Sequence, residues 1–265
     1  MPTTQIGSHT VYYDEAGAGH PVLLLSGLGA SRLGWWKQVE SLGKSYRVIA
    51  MDNCDAGDSA LATDPYTIAD LADHAAGVIR NLKLGPTHVV GISMGGFIAQ
   101  ELALRHPALV ARLILVSTSA GGTSHVRPAP EIGGLLRRVE GEDLAARARR
   151  IASMITGPAW QREHPEDLDR IVSIAAAKPM SPESYQRQLD AAQRHQTADR
   201  LAQIRIPTLI IHGDFDPLIP YANGQYLGAH IEGARLSTYV GVGHLPHIEA
   251  TERFNREVAE FLVRL

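Results

Sequence analysis

VVGISMGGF (residues 89–97) places one serine among three glycines, directly after an apolar run and before a predicted helix. The spacing of Gly91, Ser93 and Gly95 matches the pattern G-x-S-x-G. On a sharp strand-to-helix turn this pattern presents the serine at the C-terminal edge of a sheet, where the helix dipole favours developing negative charge. The glycines are needed because Cβ atoms there would clash with neighbouring backbone. We therefore expect Ser93 to be a nucleophile rather than an incidental turn residue.

Short apolar runs recur on both sides of this turn, each ending in small or polar residues. They lack polar alternation, which is typical of strands buried on both faces of a parallel sheet. The runs are PVLLLSG (21–27), YRVIAMD (46–52), HVVGIS (88–93), RLILVST (112–118) and PTLIIHG (207–213), with ARLSTYVGVG (234–243) nearer an edge and HTVYYDEAG (9–17) in an opening hairpin. Helical patterns lie between them. We therefore predict an α/β fold with a mostly parallel sheet and helices on both faces.

The strand rhythm breaks between residues 120 and 205. Gly- and Pro-rich punctuation there separates three predicted helical stretches, roughly 131–155, 165–177 and 182–203, without a clear buried strand. The rhythm then resumes at PTLIIHG. We interpret residues 120–205 as a helical cap inserted into a core formed by residues 1–119 and 206–265.

A serine nucleophile needs a general base, and that base needs an orienting acid. His244 follows the last predicted strand in VGVGHLPHIE and is expected at the same sheet edge as Ser93, with His247 as its rival. HGDFDPLIP offers Asp214 and Asp216 as the acid, and an aspartate in this position can also simply form a turn. The chain order of serine, aspartate and histidine is the order expected with G-x-S-x-G.

Together these features resemble the α/β-hydrolase superfamily, and the resemblance spans nearly the whole chain outside residues 120–205. The family implies an eight-stranded sheet, a Ser-His-Asp triad and an oxyanion hole of backbone N–H groups. By this resemblance Asp216 is the acid, since it completes the family's G-x-x-D pattern, and His244 matches the G-H loop. The backbone N–H groups of Met94 and Leu28 match the two oxyanion donors.

Two stretches depart from the family pattern. Ser26 replaces the histidine of H-G-x-G in Ser26-Gly27-Leu28-Gly29, which puts the packing of that loop in question more than the chemistry. In MDNCDAGDSA (51–60), Cys54 and Asp55 replace the arginine and a glycine of D-x-R-G-x-G-x-S. The aspartate, together with G-x-S-M-G and an LGW stretch (33–35), resembles the aclacinomycin methylesterase and carboxylesterase branch. Cys54 is interpreted as a buried structural thiol, because no histidine is predicted beside it.

These inferences predict a serine hydrolase that cleaves a small to medium carboxylic ester, a small-molecule substrate, without a metal or cofactor. The same triad and fold leave cofactor-free perhydrolases, enol-lactonases and carbon–carbon bond hydrolases open. An alternative of another class is a ligand receptor with slow or single-turnover hydrolysis. The side chains that could line an apolar pocket are Trp35, Trp36, Met154 and Trp160, although core packing is the preferred interpretation for most of them.

Composition and charge argue against several other classes of function. The 25 basic and 28 acidic residues of the 265-residue chain leave a net charge of −3, with no basic stripe for nucleic acid and no amphipathic segment for a membrane surface. A single cysteine excludes a disulfide within the chain. Neither a signal-peptide pattern nor an apolar run of about 18 residues is present, so a cytoplasmic protein is expected. No sequence feature decides the oligomeric state.

Overall fold

One sheet organises the molecule, whose computed structural model describes residues 1–135, 141 and 143–263. Its strands are β1 (Thr3–Ile6), β2 (His9–Ala16), β3 (Pro21–Leu25), β4 (Arg47–Met51), β5 (Thr87–Ile92), β6 (Val110–Val116), β7 (Thr208–Gly213) and β8 (Arg235–Tyr239). Across the sheet their order is β1-β2-β4-β3-β5-β6-β7-β8, and only the pairings made by β1 and β2 are antiparallel within the described residues. The mostly parallel, eight-stranded sheet of the prediction is confirmed.

Helices cover both faces of this sheet. They are α1 (Trp36–Leu42), α2 (Ile68–Asn81), α3 (Met94–Arg105), α4 (Pro130–Leu135), α5 (Leu144–Ile155), α6 (Pro158–Glu163), α7 (Pro165–Ala177), α8 (Pro182–Gln193), α9 (Ala222–His230), α10 (Pro246–Glu249) and α11 (Thr251–Val263). Because successive strand side chains point to opposite faces, Leu23 and Leu25 share an apolar cluster with α2 and α3, whereas Val22 and Leu24 share one with α1 and α11. Burial on both faces explains why the strands are continuous apolar runs.

Helices α4 to α8 lie between β6 and β7, and we refer to residues 120–205 as the insertion. The predicted stretch 131–155 contains α4 and α5, and its residues 136–140 and 142 lie outside the described residues. The stretch 182–203 is not one helix, since α8 ends at Gln193 and a 3-10 turn spans Ala198–Gln203. Between them, Gly122 N–H donates to His195 O (3.0 Å), and pairing with the chain after β6 interrupts the helix. The domain boundaries at 120 and 205 stay a prediction.

The parallel strands bring four loops to one edge of the sheet. The Ser26–Gly29 loop follows β3, Ser93 follows β5, Asp216 follows β7 and His244 follows β8. In open α/β sheets ligands bind outside the carboxyl ends of the strands. The candidate residues of the sequence analysis therefore meet at the edge where a site is expected.

Candidate active site

Ser93 is the one residue between β5 and α3, and its backbone angles are φ 55° and ψ −122°. A positive φ is rare for a residue with a side chain, so the surroundings must impose it. Ser93 N–H donates to Val116 O (2.9 Å), and the Thr118 hydroxyl donates to Ser93 O (2.8 Å). These two bonds hold the serine backbone against the end of β6.

The flanking glycines are required by close backbone contacts. A Cβ on Gly91 would lie 2.1 Å from Gly95 O, and a Cβ on Gly95 would lie 2.1 Å from Leu25 O. Both separations are far shorter than any real contact of a Cβ atom. Only glycine lets the helix N-terminus pack this closely on β3 and β5, and this packing holds Ser93 at the sheet edge.

Asp216 and His244 meet in a buried pair at the same edge. His244 Nδ1 and Asp216 Oδ2 are 2.7 Å apart, and both residues are about 5% exposed or less. The other carboxylate oxygen, Oδ1, accepts the N–H groups of Leu218 and Ile219 at 2.9 Å each. Burial by itself raises the pKa of the Asp216 carboxyl, but the interactions with His244 and His212 together outweigh burial and hold that pKa at about 2. Asp216 is therefore ionised at neutral pH and keeps the Nδ1 proton on His244.

The rival residues lie in other environments. Asp214 is exposed, and its carboxylate accepts the N–H of Gly241 (2.7 Å), which is the bonding of a turn-forming aspartate. His247 packs against Trp35 with ring centroids 4.7 Å apart, and burial lowers its pKa to about 3. Its ring is thus neutral at pH 7. The structure brings Asp216 and His244 together and assigns Asp214 and His247 to a turn and to packing.

His212 is a neighbour of the acid that the sequence did not indicate. Its Nε2 lies 3.5 Å from Asp216 Oδ2 and 2.8 Å from Ile219 O, and its side chain is fully buried. A histidine at the end of a strand gives no sequence signal for such a contact. His212 approaches the same carboxylate oxygen, Oδ2, as His244 does, and it contributes to the burial of the Asp216 carboxylate.

The backbone N–H groups of Leu28 and Met94 lie beside the nucleophile. Met94 is the first residue of α3, so its N–H has no acceptor within the helix. A Cβ on Gly27 would lie 3.7 Å from Ser93 Oγ, so the turn that leads to Leu28 contacts the serine directly. Among the backbone and side-chain hydrogen bonds of the described residues, neither N–H donates to a protein acceptor. Both donors are available to an oxygen that approaches Ser93.

The Ser26–Gly29 loop is well supported although a serine replaces the family's histidine. Ser26 Oγ donates to Ser31 O (3.2 Å), and the Asn53 amide donates to Ser26 O (3.0 Å). Gln188 of α8, fully buried, accepts the N–H of Gly29 at 3.0 Å. The role of Gln188 could not be inferred from the sequence, because it lies 159 residues along the chain from its partner.

Cys54 and Asp55, the two other residues that differ from the family pattern, both form hydrogen bonds that support the fold. Cys54 is buried, its thiol donates to Ala60 O (3.3 Å), and burial raises its pKa to about 11. Asp55 receives two hydrogen bonds from the Arg187 guanidinium, at 2.9 and 2.8 Å. Cys54 is therefore an unreactive thiol at neutral pH, and Asp55 connects the core to α8.

A cavity of about 1270 Å³ opens over Ser93 and His244 and is roofed by the insertion. Leu28, Met94, Trp35 and Trp36 all contribute to its wall, as do apolar residues along α5 and α7, namely Leu144, Ala148, Ile151, Ala152, Ile155, Ile171, Ile174 and Ala175. Ser93 and His244 of the predicted triad, both predicted oxyanion donors and two of the predicted pocket residues thus line one cavity.

Met154 and Trp160 do not line this cavity. The residues of α5 that line the cavity are Leu144, Arg147, Ala148, Ile151, Ala152 and Ile155, and Met154 is not among them. Trp160 of α6 is buried in an apolar cluster with Leu168 and Val172 of α7. The same cluster contains Ile248 of α10, so Trp160 packs where the insertion meets the core, and the prediction that Met154 and Trp160 line the pocket is corrected.

Two further findings concern the described residues alone. They contain no group of three or more histidine, cysteine, aspartate or glutamate side chains arranged to hold a metal ion. Among their helices, none combines the length and apolar character that a membrane span requires.

The chain is also similar to a family profile and to several known proteins. The sequence profile described as "alpha/beta hydrolase fold" matches residues 20–251. A protein of Serratia proteamaculans named as the carbamate hydrolase RutD is 31% identical over 247 residues, which cover 92% of this chain and 91% of that protein. The 2-hydroxy-6-oxononadienedioate/2-hydroxy-6-oxononatrienedioate hydrolase of Burkholderia vietnamiensis is 31% identical over 277 residues, with 96% and 91% covered.

Among solved structures, the enol-lactonase from Burkholderia xenovorans LB400 superimposes with a TM-score of 0.87 at 26% sequence identity. The match covers 99% of this chain and 100% of that one. Both the core and the insertion are therefore part of the shared architecture.

Proposed function

The chain belongs to the α/β-hydrolase family and is a hydrolase of that fold, and from this premise we propose that it cleaves a carboxylic ester with Ser93, His244 and Asp216. The observation that carries the proposal is the buried 2.7 Å pair of His244 Nδ1 and Asp216 Oδ2. It lies at the sheet edge that also presents Ser93 on a strained turn. Nucleophile, base and acid in this arrangement are the requirements for acyl transfer.

The reaction begins when Ser93 Oγ attacks the carbonyl carbon of the ester. His244 Nε2 takes the proton from Ser93 Oγ, and the ionised Asp216 stabilises the imidazolium that forms. The carbonyl oxygen becomes an oxyanion, which accepts the backbone N–H groups of Leu28 and Met94. The position of Met94 at the N-terminus of α3 adds the favourable end of the helix dipole.

Collapse of this intermediate breaks the bond to the alcohol. His244 returns its proton to the leaving alkoxide oxygen, and the acyl group stays on Ser93 Oγ. His244 then removes a proton from water, whose oxygen attacks the acyl carbon to form a second oxyanion in the oxyanion hole. The bond between the acyl carbon and Ser93 Oγ breaks, His244 returns the proton to Ser93 Oγ, and the acid is released. Neither step needs an oxidant, a reductant or a metal ion.

The cavity wall supports an ester with an apolar chain. Except for Arg147, the positions of α5 and α7 that line the cavity are apolar, and Trp36 and Ile248 extend that surface towards α10. A volume of about 1270 Å³ exceeds what an acetyl group fills, so longer acyl or alcohol chains should bind better. The close match to an enol-lactonase favours a lactone, which is a cyclic carboxylic ester, as the second candidate substrate.

The test replaces Ser93 with alanine and compares p-nitrophenyl acetate, butyrate and octanoate with a panel of lactones and dienone acids. We expect steady-state turnover by the wild-type protein, improving with chain length, and a loss of about 10⁴-fold or more in kcat/KM for Ser93→Ala. Ser31→Ala, on the same cavity wall, serves as the control and should retain activity. Comparable turnover by Ser93→Ala would reject the nucleophile, and a single slow burst without turnover would favour the receptor alternative.

A further inference from the structure

Glu249 is a half-buried carboxylate beside the proposed base that the mechanism does not use. It ends α10, five residues after His244. Its Oε2 accepts the backbone N–H of Gly243 at 3.0 Å, and its Oε1 accepts the backbone N–H of Leu245, also at 3.0 Å. One carboxylate thus binds the residues immediately before and after His244.

The third backbone N–H of this loop is bound as well. His244 N–H donates to Ile155 O, the last residue of α5, at 2.7 Å. The three consecutive N–H groups of Gly243, His244 and Leu245 therefore all have specific acceptors. Such a loop cannot rotate its backbone without losing several hydrogen bonds at once, so the direction of the His244 side chain is fixed.

Glu249 also reaches the insertion. Its Oε2 accepts the N–H of Gly157 at 2.7 Å, and Gly157 lies two residues after Ile155, the last residue of α5. A Cβ on Gly243 would lie 2.4 Å from Ile155 O, so the two segments are as close as backbone can pack. The loop that carries His244 is consequently joined to the insertion by Glu249 and by Ile155.

The charge of Glu249 adds to this geometry. Burial raises the pKa of its carboxyl above the ordinary value, while the N–H groups of Gly157, Gly243 and Leu245 and the nearby His244 act in the opposite direction. An ionised carboxylate binds N–H groups about twice as strongly as a neutral acceptor. It also places a negative charge near the imidazolium that forms during the reaction.

We propose that Glu249 is a positioning residue, which holds the His244 backbone so that Nε2 faces Ser93 and which makes this alignment depend on contact with the insertion. The inference rests on the proposed function. It assigns to the insertion a part in building the catalytic site as well as in roofing the cavity.

The first experiment compares Glu249→Gln with Glu252→Gln, a control at an exposed glutamate of α11. The glutamine keeps the size of the side chain but loses the charge and one acceptor oxygen. We expect kcat on p-nitrophenyl butyrate to fall about 10- to 100-fold with little change in KM, as for other residues that orient a reacting group. The rate at which a fluorophosphonate labels Ser93 should fall by a similar factor, and the control should match wild type in both.

The second experiment tests the connection to the insertion without changing Glu249. Gly157 has φ −65°, a value that proline also adopts. Gly157→Pro is therefore compatible with this φ, but it removes the N–H donor and adds a ring. Gly157→Ala adds a Cβ with the same close contacts but keeps the donor, and is the matched control. We expect labelling of Ser93 to slow more in the proline variant than in the alanine variant.

The outcomes separate the two proposals. If wild type labels with the fluorophosphonate but Glu249→Gln and Gly157→Pro label at the rates of their controls, Glu249 has no positioning role. A lowered melting temperature with unchanged labelling would assign a purely structural role, which also overturns the proposal. If wild-type Ser93 is not labelled and no ester is turned over, the proposed function fails first.

Discussion

At Ser93, backbone strain and the proposed catalytic role coincide. A non-glycine residue at φ 55° costs about 1–3 kcal/mol, which the surrounding contacts must offset. The bonds to Val116 O and from Thr118 provide part of that compensation. In this conformation Ser93 lines the cavity, and Met94, the first residue of α3, has an N–H without an acceptor in the helix.

The choice of acid can be tested at single residues. Asp216→Asn should lower kcat by about 10³- to 10⁴-fold, because an amide NH₂ opposite Nδ1 favours the tautomer of His244 that carries its proton on Nε2 and cannot act as a base. Asp214→Asn should leave kcat near the wild-type value, since the Asp214 carboxylate is exposed and accepts the N–H of Gly241 rather than a bond from His244. Steady-state rates on p-nitrophenyl butyrate decide the matter, and a larger loss at Asp214 would reassign the acid.

At the scale of elements, the turn from β5 to α3 leaves no room for a side chain at Gly91 or Gly95. Gly95 places the first turn of α3 against the end of β3, where even one methyl group has no room. Ten of the twelve residues of α3 are buried, so the helix cannot shift outwards without exposing apolar surface. Its position is set by packing on the sheet, and the position of Ser93 follows from it.

Gly95→Ala should therefore destabilise the protein by about 1–3 kcal/mol or more, the usual cost of overpacking. The control is Gly228→Ala in α9, where the added Cβ would meet its nearest atom, Leu236 Cβ, at an ordinary 3.5 Å. Urea denaturation measures both. Equal stability of the two variants would show that the contact with Leu25 O relaxes easily.

At the scale of the whole molecule, the insertion is attached to the core by buried polar contacts far apart from one another. Arg187 and Ser184 of α8 bind Asp55, and Gln188 of the same helix connects Gly29 with Cys54 O (2.9 Å). At the opposite end, Glu249 binds Gly157. Both proposed catalytic loops, after β3 and after β8, thus contact the insertion directly.

Arg187→Met should reduce the free energy of unfolding by about 3 kcal/mol at pH 7, because it leaves the fully buried Asp55 carboxylate without its ion-pair partner. Burial raises the pKa of Asp55, but in wild type the hydrogen bonds from Arg187 outweigh burial and hold that pKa below its ordinary value of 3.8. The stabilisation by this carboxylate is therefore complete above about pH 3.8 and is lost as pH falls through the lower native pKa. The difference between variant and wild type should shrink at pH 3.

The control for this prediction is the exposed ion pair of Arg149 and Asp169. Arg149→Met should change stability by about 0.5 kcal/mol or less, since solvent screens such pairs. Urea denaturation at pH 7 and at pH 3 gives both comparisons. A loss for Arg187→Met that does not depend on pH would show that packing, rather than charge, joins α8 to the core.

Much of the fold follows from local patterns in the sequence. Apolar runs without alternation predicted the parallel strands because both faces of such strands are buried, and the G-x-S-x-G pattern located the turn at Ser93 because few residues tolerate that geometry. The helical stretch 182–203 was predicted too long, since its end depends on the pairing of His195 with Gly122, which lies far away in the chain. Helix propensity depends on neighbouring residues, so it gives no information about a partner this far along the chain.

The sequence by itself determined the α/β fold, the order of Ser93, Asp216 and His244 along the chain, and the sheet edge where they were expected to meet. Only the tertiary structure decided that Asp216 rather than Asp214 contacts His244, that Trp160 packs in a cluster with Val172 and Ile248, and that Glu249 binds the His244 loop. The physical reason is the separation along the chain over which each kind of interaction acts. Periodicity and turn chemistry act between neighbours, whereas a contact such as that of Gly157 with Glu249, 92 residues apart, exists only after the chain has packed.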